Sequence, residues 1–161
     1  MSELRVGVIT SSDSCSSGDR EDLSGKAIID ASTARGWDVV GYHVCPDEIE
    51  CLTTSIVELA DVDEADVVFT TGGTGLGPRD VTPEATLAAC DRLVPGIAEA
   101  IRAESLKVTK RAMLSRGIAG QRGKTLVINL PGSVKAVRET LEVVLDQLEH
   151  AVEMAAGCGH D

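Results

Sequence analysis

Short apolar segments alternate along the chain with segments in which apolar residues recur every three or four positions, and this alternation strongly limits the possible folds. Continuous apolar runs of this length are typical of strands buried on both faces. The predicted strands are Leu4–Thr10, Trp37–Cys45, Asp66–Thr71 and Thr125–Leu130. Because helices separate them, we expect an α/β fold with three αβα layers around a mostly parallel sheet.

Helical spacing and terminal residues place helices between these strands. Gly36 is a residue type favoured directly after a helix, and Pro83 is tolerated in a first turn. Pro95 and Gly96 are expected to end a helix, and residues 107–124 to form an irregular basic connector. The predicted helices are Ser24–Arg35, a segment with Ile49, Leu52, Ile56 and Leu59 on one face, Thr82 to about Leu93, Ile97 to about Leu106, and a last helix with an apolar stripe from Val134 to Ala155. No repeat or linker interrupts the 161 residues, so we expect one domain over 1–161.

The charge distribution disfavours a nucleic-acid binder. The net charge is −11, and the only aromatic residues are Trp37, Tyr42 and Phe69, too few for a base-stacking platform. Residues 102–124 nevertheless contain seven bases and one acid. A local basic patch on an acidic chain favours a small anionic ligand. A solvated helix face followed by a polar loop would give the same charge pattern.

Other features point to a cytoplasmic protein. No apolar run reaches the roughly 18–20 residues that span a bilayer, and the first five residues do not resemble a signal peptide. The five cysteines are scattered without zinc-ligand spacing, which favours free thiols in a reducing compartment. Cys158 and His160 could hold a metal, although a frayed end is the simpler interpretation. We therefore expect neither a membrane nor a nucleic acid as partner.

Polar and glycine-rich segments follow all four predicted strands. They are Ser11–Asp13, Pro46–Glu48, Gly72–Gly77 and Asn129–Ser133. Each alone could be an ordinary turn, since these residue types dominate turns. Ligands of open α/β sheets, however, bind outside the carboxyl ends of the strands. The convergence of these segments therefore predicts an active site.

The glycine-rich loop is a candidate phosphate-binding segment. It lacks the Gly-Lys-Ser/Thr ending of a Walker A loop and the G-x-G-x-x-G pattern, which disfavours P-loop kinases and NAD enzymes. Residues without side chains can still direct several backbone N–H groups at a phosphate. Arg79 and a helix start near Thr82, the predicted N-cap, would add positive charge. Ser115 and Arg116, in the basic connector, could contact an anion or belong to a solvated loop.

Two aspartates carry the more specific hypothesis. Asp47 and Asp80 would lie on neighbouring strand edges, where two carboxylates suit Mg²⁺, which in turn binds phosphate oxygens. Asp47 with Glu50 three residues later also matches a capping box. No histidine lies in a candidate loop, which disfavours a Ser-His-Asp triad and a histidine metal centre.

Several of these segments together resemble the molybdopterin adenylyltransferase family, which includes bacterial Mog-type and MoaB-type proteins and the G domain of gephyrin. The matching segments occur in family order and span nearly the whole chain. They are Ser12–Cys15, Pro46–Glu50, Thr70–Gly75, Pro78–Glu84, Met113–Arg116 and Ile128–Ser133. The glycine loop alone would not be specific, but the set is.

The resemblance implies a Mog-like, molybdopterin-binding fold and a step of molybdenum cofactor biosynthesis. That step transfers AMP from Mg-ATP to the terminal phosphate of molybdopterin and releases pyrophosphate. Asp47 and Asp80 match the family's essential acidic positions, and both would also hold Mg²⁺. The residues expected to bind molybdopterin or ATP are Ser12, Asp13, Gly72, Gly73, Thr74, Gly75, Arg79, Ser115, Leu130, Pro131, Gly132 and Ser133. The family is typically trimeric, and other proteins of the cofactor pathway are possible partners.

Two alternatives remain open at this point. A non-catalytic paralogue could bind or scaffold molybdopterin without adenylylating it. An unrelated nucleotide-dependent transferase would require the motif matches to be coincidental. The presence of Asp47, Asp80 and an intact glycine loop favours the enzyme.

Overall fold

A computed structural model describes residues 3–158 of the chain. The strands are Arg5–Ser11 (β1), Asp38–Cys45 (β2), Val67–Thr71 (β3), Arg92–Leu93 (β4), Ala119–Arg122 (β5) and Thr125–Leu130 (β6). The helices are Asp13–Ser16 (α1), Leu23–Ala34 (α2), Ile49–Val57 (α3), Thr82–Ala89 (α4), Pro95–Leu106 (α5) and Val134–Ala155 (α6). A π-helical turn, Glu58–Val62, extends α3, and a 3-10 turn, Lys110–Leu114, follows α5.

The strands form one sheet in the order β2-β1-β3-β6-β5-β4. The strands β2, β1, β3 and β6 are parallel, whereas β5 is antiparallel to both of its neighbours. The four parallel strands therefore end on one side of the sheet, which we call the carboxyl edge. Because β2 and β3 lie on opposite sides of β1, the topology switches direction between β1 and β3. Ligands of open α/β sheets bind at such a switch point.

Apolar side chains cover both faces of the sheet. Successive residues of a strand point to opposite faces, so Val8 packs with Leu141 of α6 on one side. Ile9 packs with Ile56 of α3 and Ala85 of α4 on the other side. The layers are thus α2, α5 and α6 on one face and α3 and α4 on the other. The predicted three-layer αβα architecture is confirmed.

The apolar stripe of the last helix is buried, as its spacing predicts. Val137, Leu141, Val144 and Leu148 are buried at intervals of three or four residues along the 22 residues of α6. Partly buried apolar residues such as Val143 and Val152 flank this stripe. Within residues 3–158, none of the helices combines the length and the apolar content that crossing a membrane requires.

The segment that follows α4 differs from the prediction. The helix ends at Ala89, earlier than expected, and Arg92–Leu93 forms the edge strand β4. A backbone hydrogen bond from Val94 N to Ala119 O (2.8 Å) attaches this segment to β5. Pro95 begins α5 instead of ending a helix, because a residue in a first turn needs no hydrogen-bonded N–H.

The basic connector is also more regular than predicted. The 3-10 turn begins after Thr109, whose hydroxyl accepts a hydrogen bond from Arg111 N (3.3 Å). The strand β5 then pairs with β6. A five-residue turn and a four-residue strand are too short to show apolar periodicity, which is why the sequence pattern did not indicate them.

The cysteines provide a chemical test of this packing. All five are free thiols, as expected, and burial raises the pKa of Cys45 to about 12 and that of Cys90 to about 11. Because a thiol with a raised pKa stays protonated at pH 8, both should react slowly with iodoacetamide, whereas the exposed Cys158 should react quickly. Peptide mass spectrometry of the native protein, with a urea-unfolded sample as control, measures these rates. Equal labelling of Cys45 and Cys158 before unfolding would contradict the buried position of Cys45.

Candidate active site

The loops after the four parallel strands meet at the carboxyl edge. Ser12 N, directly after β1, donates to Cys45 O at the end of β2 (2.9 Å). Thr71 Oγ1, at the end of β3, donates to Pro131 O after β6 (2.6 Å). The four segments that the sequence analysis singled out are therefore held together on one side of the molecule.

The side chain of Asp47 faces the loop after β1. Its Oδ1 accepts from Ser11 Oγ (2.6 Å) and its Oδ2 accepts from Asp13 N (3.1 Å). The N-cap of α3 is Glu48, which makes no side-chain capping bond. The alternative interpretation of Asp47 as part of a capping box is therefore wrong, and its carboxylate belongs to the carboxyl edge.

An ion pair crosses this edge between Asp13 and Arg79. The guanidinium binds the carboxylate with two contacts, Nη2 to Oδ1 (2.8 Å) and Nε to Oδ2 (3.0 Å). The hydrogen bond with Arg79 and the backbone N–H of Asp47 lower the pKa of Asp13. Both side chains are about half exposed. Arg79 is thus present at the edge as predicted, but in this state its charge is directed at a carboxylate.

The carboxylate of Asp80 lies against the glycine-rich loop. Its Oδ2 accepts from Gly77 N (2.9 Å), and its own N–H donates to Gly77 O (3.0 Å). A Cβ at Gly75 or at Gly77 would come within 2.9 Å of Oδ2. The absence of side chains at these two glycines is therefore what admits the carboxylate.

Thr82 does not have the role predicted for it. The N-cap of α4 is Val81, without a side-chain bond, and Thr82 is the first helical residue. Thr82 Oγ1 instead donates to Gly72 O (2.9 Å), and Thr82 N donates to Gly73 O (3.1 Å). The start of α4 thereby holds the glycine loop against the end of β1.

Two cavities border the glycine loop on opposite sides. The first, which we call the α2-side cavity, has about 330 Å³ and is lined by Thr10, Ser11, Ser12, Cys15, Arg20, Glu21, Asp22, Leu23, Ser24, Thr71, Gly72, Gly132, Ser133 and Val134. The second, the α5-side cavity, has about 290 Å³ and is lined by Thr74, Gly75, Ile101, Arg102, Ser105, Thr109, Arg111, Ala112, Leu114, Ser115, Pro131, Ala136, Glu139 and Thr140.

The candidate binding residues are divided between these cavities. Neither cavity is lined by Asp47 or Asp80 themselves. Ser11 of the α2-side cavity, however, donates to Asp47, and Gly75 of the α5-side cavity lies against Asp80. Each carboxylate therefore contacts a residue that lines a cavity, and the two cavities are different.

Other candidate binding residues have structural contacts. Leu130 is fully buried, and its carbonyl accepts from Gly72 N (3.3 Å), so its side chain cannot reach a ligand. Ser133 is the N-cap of α6 and accepts from Ala136 N (3.3 Å). Ser115 Oγ accepts from Gly117 N (3.3 Å) while the residue lines the α5-side cavity. Gly132 O accepts from Ser24 Oγ (2.6 Å).

Two residues that were not among the predicted binding residues hold parts of the site in place through hydrogen bonds. Arg116 contacts the glycine loop, Asp80 and α4 at once. Asn129, buried in β6, donates through Nδ2 to Thr70 Oγ1 (3.0 Å) and Thr86 Oγ1 (2.8 Å). Both lie in segments that carry the family resemblance. The sequence analysis had also named Arg116 as a possible anion contact and had placed Asn129 in the polar segment after the last predicted strand.

The metal-ligating groups are sparse. Among residues 3–158, no group of three or more histidine, cysteine, aspartate or glutamate side chains is arranged to hold a metal ion. His160, which with Cys158 could hold a metal, lies outside the described residues.

The topology defines an α/β protein whose candidate site lies at the switch point of its sheet. Comparison with known proteins identifies the family within this fold class. Residues 7–150 match the family model described as "probable molybdopterin binding domain". The chain belongs to this family, which confirms the resemblance seen in its motifs.

Individual relatives match over almost the whole chain. The molybdopterin adenylyltransferase of Helicobacter pylori strain J99 is 41% identical over 98% of this chain and 90% of its own length. The crystal structure of the molybdopterin biosynthesis enzyme MoaB from Thermus thermophilus has a TM-score of 0.89 and 45% identity, covering 96% of this chain and 97% of that one. The Mog protein of Mycobacterium ulcerans has a TM-score of 0.89 and 34% identity. The match covers 98% of this chain and 99% of that one.

Proposed function

We propose that the chain acts in molybdenum cofactor biosynthesis as a molybdopterin adenylyltransferase. The reaction transfers AMP from Mg-ATP to the terminal phosphate of molybdopterin and releases pyrophosphate. Relatives that are 40–41% identical over most of the chain carry the name molybdopterin adenylyltransferase. The observation that carries the proposal is the position of Asp47 and Asp80 at one edge of the sheet, each beside a different cavity.

The reaction needs no covalent catalyst from the protein. A phosphate oxygen of molybdopterin forms a bond to the α-phosphorus of ATP, and the bond from that phosphorus to the bridging oxygen breaks as pyrophosphate leaves. The protein must align two anions and neutralise the charge that develops between them. The two cavities beside the glycine loop suit this task, since one substrate would occupy each of them.

Asp47 and Asp80 would hold Mg²⁺. Magnesium in proteins is usually bound through one or two carboxylates together with substrate phosphates, so a two-carboxylate edge fits it. An ionised carboxylate has about four acceptor positions, and the contacts described above for Asp47 and Asp80 use two and one of them. When bound, the ion would neutralise phosphate charge. Ser11 and the backbone of Asp13 would keep Asp47 oriented for it.

The glycine loop and its basic neighbours would bind the phosphates. Gly72–Gly75 lie between the two cavities with no side chain larger than that of Thr74. Backbone N–H groups in such loops bind phosphate oxygens. Arg79 would exchange its contact with Asp13 for a substrate phosphate, because an exposed ion pair is easily replaced.

A second function is a non-catalytic molybdopterin-binding or scaffolding role. The family description, which refers only to molybdopterin binding, supports this alternative. The two candidates differ in one product, the adenylylated pterin.

The deciding experiment incubates the purified chain with molybdopterin and Mg-ATP and analyses the products by mass spectrometry. We expect an adenylylated pterin and pyrophosphate, both absent when EDTA replaces magnesium. Pterin binding without this product would contradict the enzyme and support the scaffolding role. A crystal soaked with AMP gives an independent check, with its phosphate expected at the glycine loop.

We also propose that the chain is a cytoplasmic homotrimer, as the resemblance implies. Light scattering coupled to size-exclusion chromatography would measure the mass of the assembly against the 16.8 kDa chain. A monomeric mass at working concentrations would contradict the trimer. Other proteins of the cofactor pathway, including the one that inserts molybdate, are the expected partners.

A further inference from the structure

Arg116 is bound to both ends of the turn that carries Asp80. Its Nε donates to Gly75 O (2.7 Å), and its Nη2 donates to Asp80 O (2.7 Å). Its own backbone N–H donates to Thr74 O (2.8 Å). One side chain therefore joins residues 75 and 80, the two ends of a six-residue segment, and the main chain fastens the same arginine to the glycine loop.

A third contact fixes the guanidinium relative to α4. Arg116 Nη1 lies 2.9 Å from the carboxylate of Glu84, in the first turn of that helix. All three nitrogens of the guanidinium thus have protein partners, two of them carbonyl oxygens. A guanidinium is planar and presents its N–H donors in a fixed fork, so these contacts define one orientation. Three of the five N–H donors of Arg116 are therefore used inside the protein, which gives this residue a structural role beside the anion contact expected from the sequence.

The placement of the Asp80 carboxylate depends on this turn. The side chain of Asp80 is attached to Gly77 N, inside the segment that Arg116 closes. Glycine is the least restricted residue, and this segment contains Gly75 and Gly77. Without an external attachment, the backbone from 75 to 80 would have many conformations, and the carboxylate would move with it.

We propose that Arg116 is a positioning residue for the adenylyl-transfer reaction. It fixes the turn 75–80 so that the Asp80 carboxylate stays at the carboxyl edge, in register with Asp47. The inference rests on the proposed function, because the carboxylate is positioned for the metal and nucleotide of that reaction. It concerns the rate of the reacting complex more than the binding of either substrate.

The test compares Arg116→Ala with a matched control, Arg122→Ala. Arg122 also uses all three nitrogens, binding Asp61 through Nε and Nη2 and Ala89 O through Nη1. It ends β5 opposite Thr125, the first residue of β6, and so lies away from the carboxyl edge. Each variant removes three guanidinium contacts, one set beside the candidate site and the other on the opposite edge of the sheet.

We expect kcat of Arg116→Ala to fall about 100-fold, because displacements near 1 Å of a catalytic group have effects of this size. The KM for ATP should change less than about threefold, since the variant displaces a catalytic group without removing the nucleotide contacts. The Mg²⁺ concentration for half-maximal activity should rise. Added guanidine should restore part of kcat in Arg116→Ala, and kcat of Arg122→Ala should stay near the wild-type value.

The outcomes separate the two claims. A wild-type chain that forms no adenylylated pterin would reject the proposed function, and this inference with it. An active wild type with unchanged kcat in Arg116→Ala, or an equal loss in Arg122→Ala, would reject the inference alone. If Arg116→Ala does not fold, Arg116→Lys tests the inference instead. Lysine keeps the positive charge but lacks the planar set of N–H donors that joins residues 75 and 80. Unchanged kcat and Mg²⁺ dependence in that variant would also overturn the proposal.

Discussion

Replacement of Asp80 by asparagine is expected to lower kcat for adenylyl transfer at least about 100-fold, a loss typical for removal of a group that stabilises transition-state charge. The amide has the size of the carboxylate, and its oxygen can still accept from Gly77 N, so the turn should keep its shape. What disappears is the negative charge that would hold the magnesium ion. Product formation by mass spectrometry, at saturating Mg-ATP, measures the effect.

The control for this prediction is Asp30→Asn, which neutralises an exposed aspartate on α2, outside the carboxyl edge. Its kcat should match that of the wild type. Circular dichroism and thermal unfolding of both variants should also match the wild type, because neither change removes buried surface. Near-normal turnover by Asp80→Asn would refute the catalytic role of this carboxylate.

Gly72→Ala is expected to lower the free energy of unfolding by about 2–4 kcal/mol, combining left-handed backbone strain with a steric overlap. Gly72 has a φ of +88°, and a Cβ there would lie 2.4 Å from Ser11 O, a backbone atom at the end of β1. Because the obstacle is main chain, it cannot rotate away. The glycine loop would have to separate from β1, so kcat should fall as well.

Gly36→Ala isolates the backbone contribution. Gly36 has a φ of +79°, and no atom lies within 4 Å of the position that a Cβ would occupy there. This variant should therefore lose only about 1 kcal/mol, the strain of a left-handed residue. Urea unfolding of both variants gives the difference. Equal destabilisation would show that the end of β1 moves aside without resistance.

Sequence patterns predicted the parallel part of the fold because β1, β3 and β6 are almost continuous buried runs. The outer strand β2 is mostly half-buried, and only its apolar composition indicated it. The strand β6, at Thr125–Leu130, has the predicted bounds, and all six of its residues are buried. The strands β4 and β5 escaped prediction because β4 has only two residues, both exposed, and β5 has four of mixed burial. Their pairing is a tertiary contact, which no local pattern encodes.

In the candidate site, too, some features were predictable from local sequence and others depend on tertiary contacts. The rule that ligands bind at strand ends placed Asp47 and Asp80 at one edge without knowledge of any contact. The strands that precede them are not neighbours as predicted, because β1 lies between β2 and β3. The pairing of Asp13 with Arg79, 66 residues apart in the chain, depends on loop shapes that composition does not specify. Leu130 shows a further limit, since a motif match does not distinguish a side chain that touches ligand from one buried in the core.

The partition between the α2-side and α5-side cavities has a consequence for inhibitor chemistry. It is formed by two loop segments that supply residues to both cavities. Gly72 and Gly132 line the α2-side cavity, and Gly75 and Pro131 line the α5-side cavity. A compound with one group in each cavity would have to pass over these segments, and its linker would face main chain without a side chain at three of these four positions.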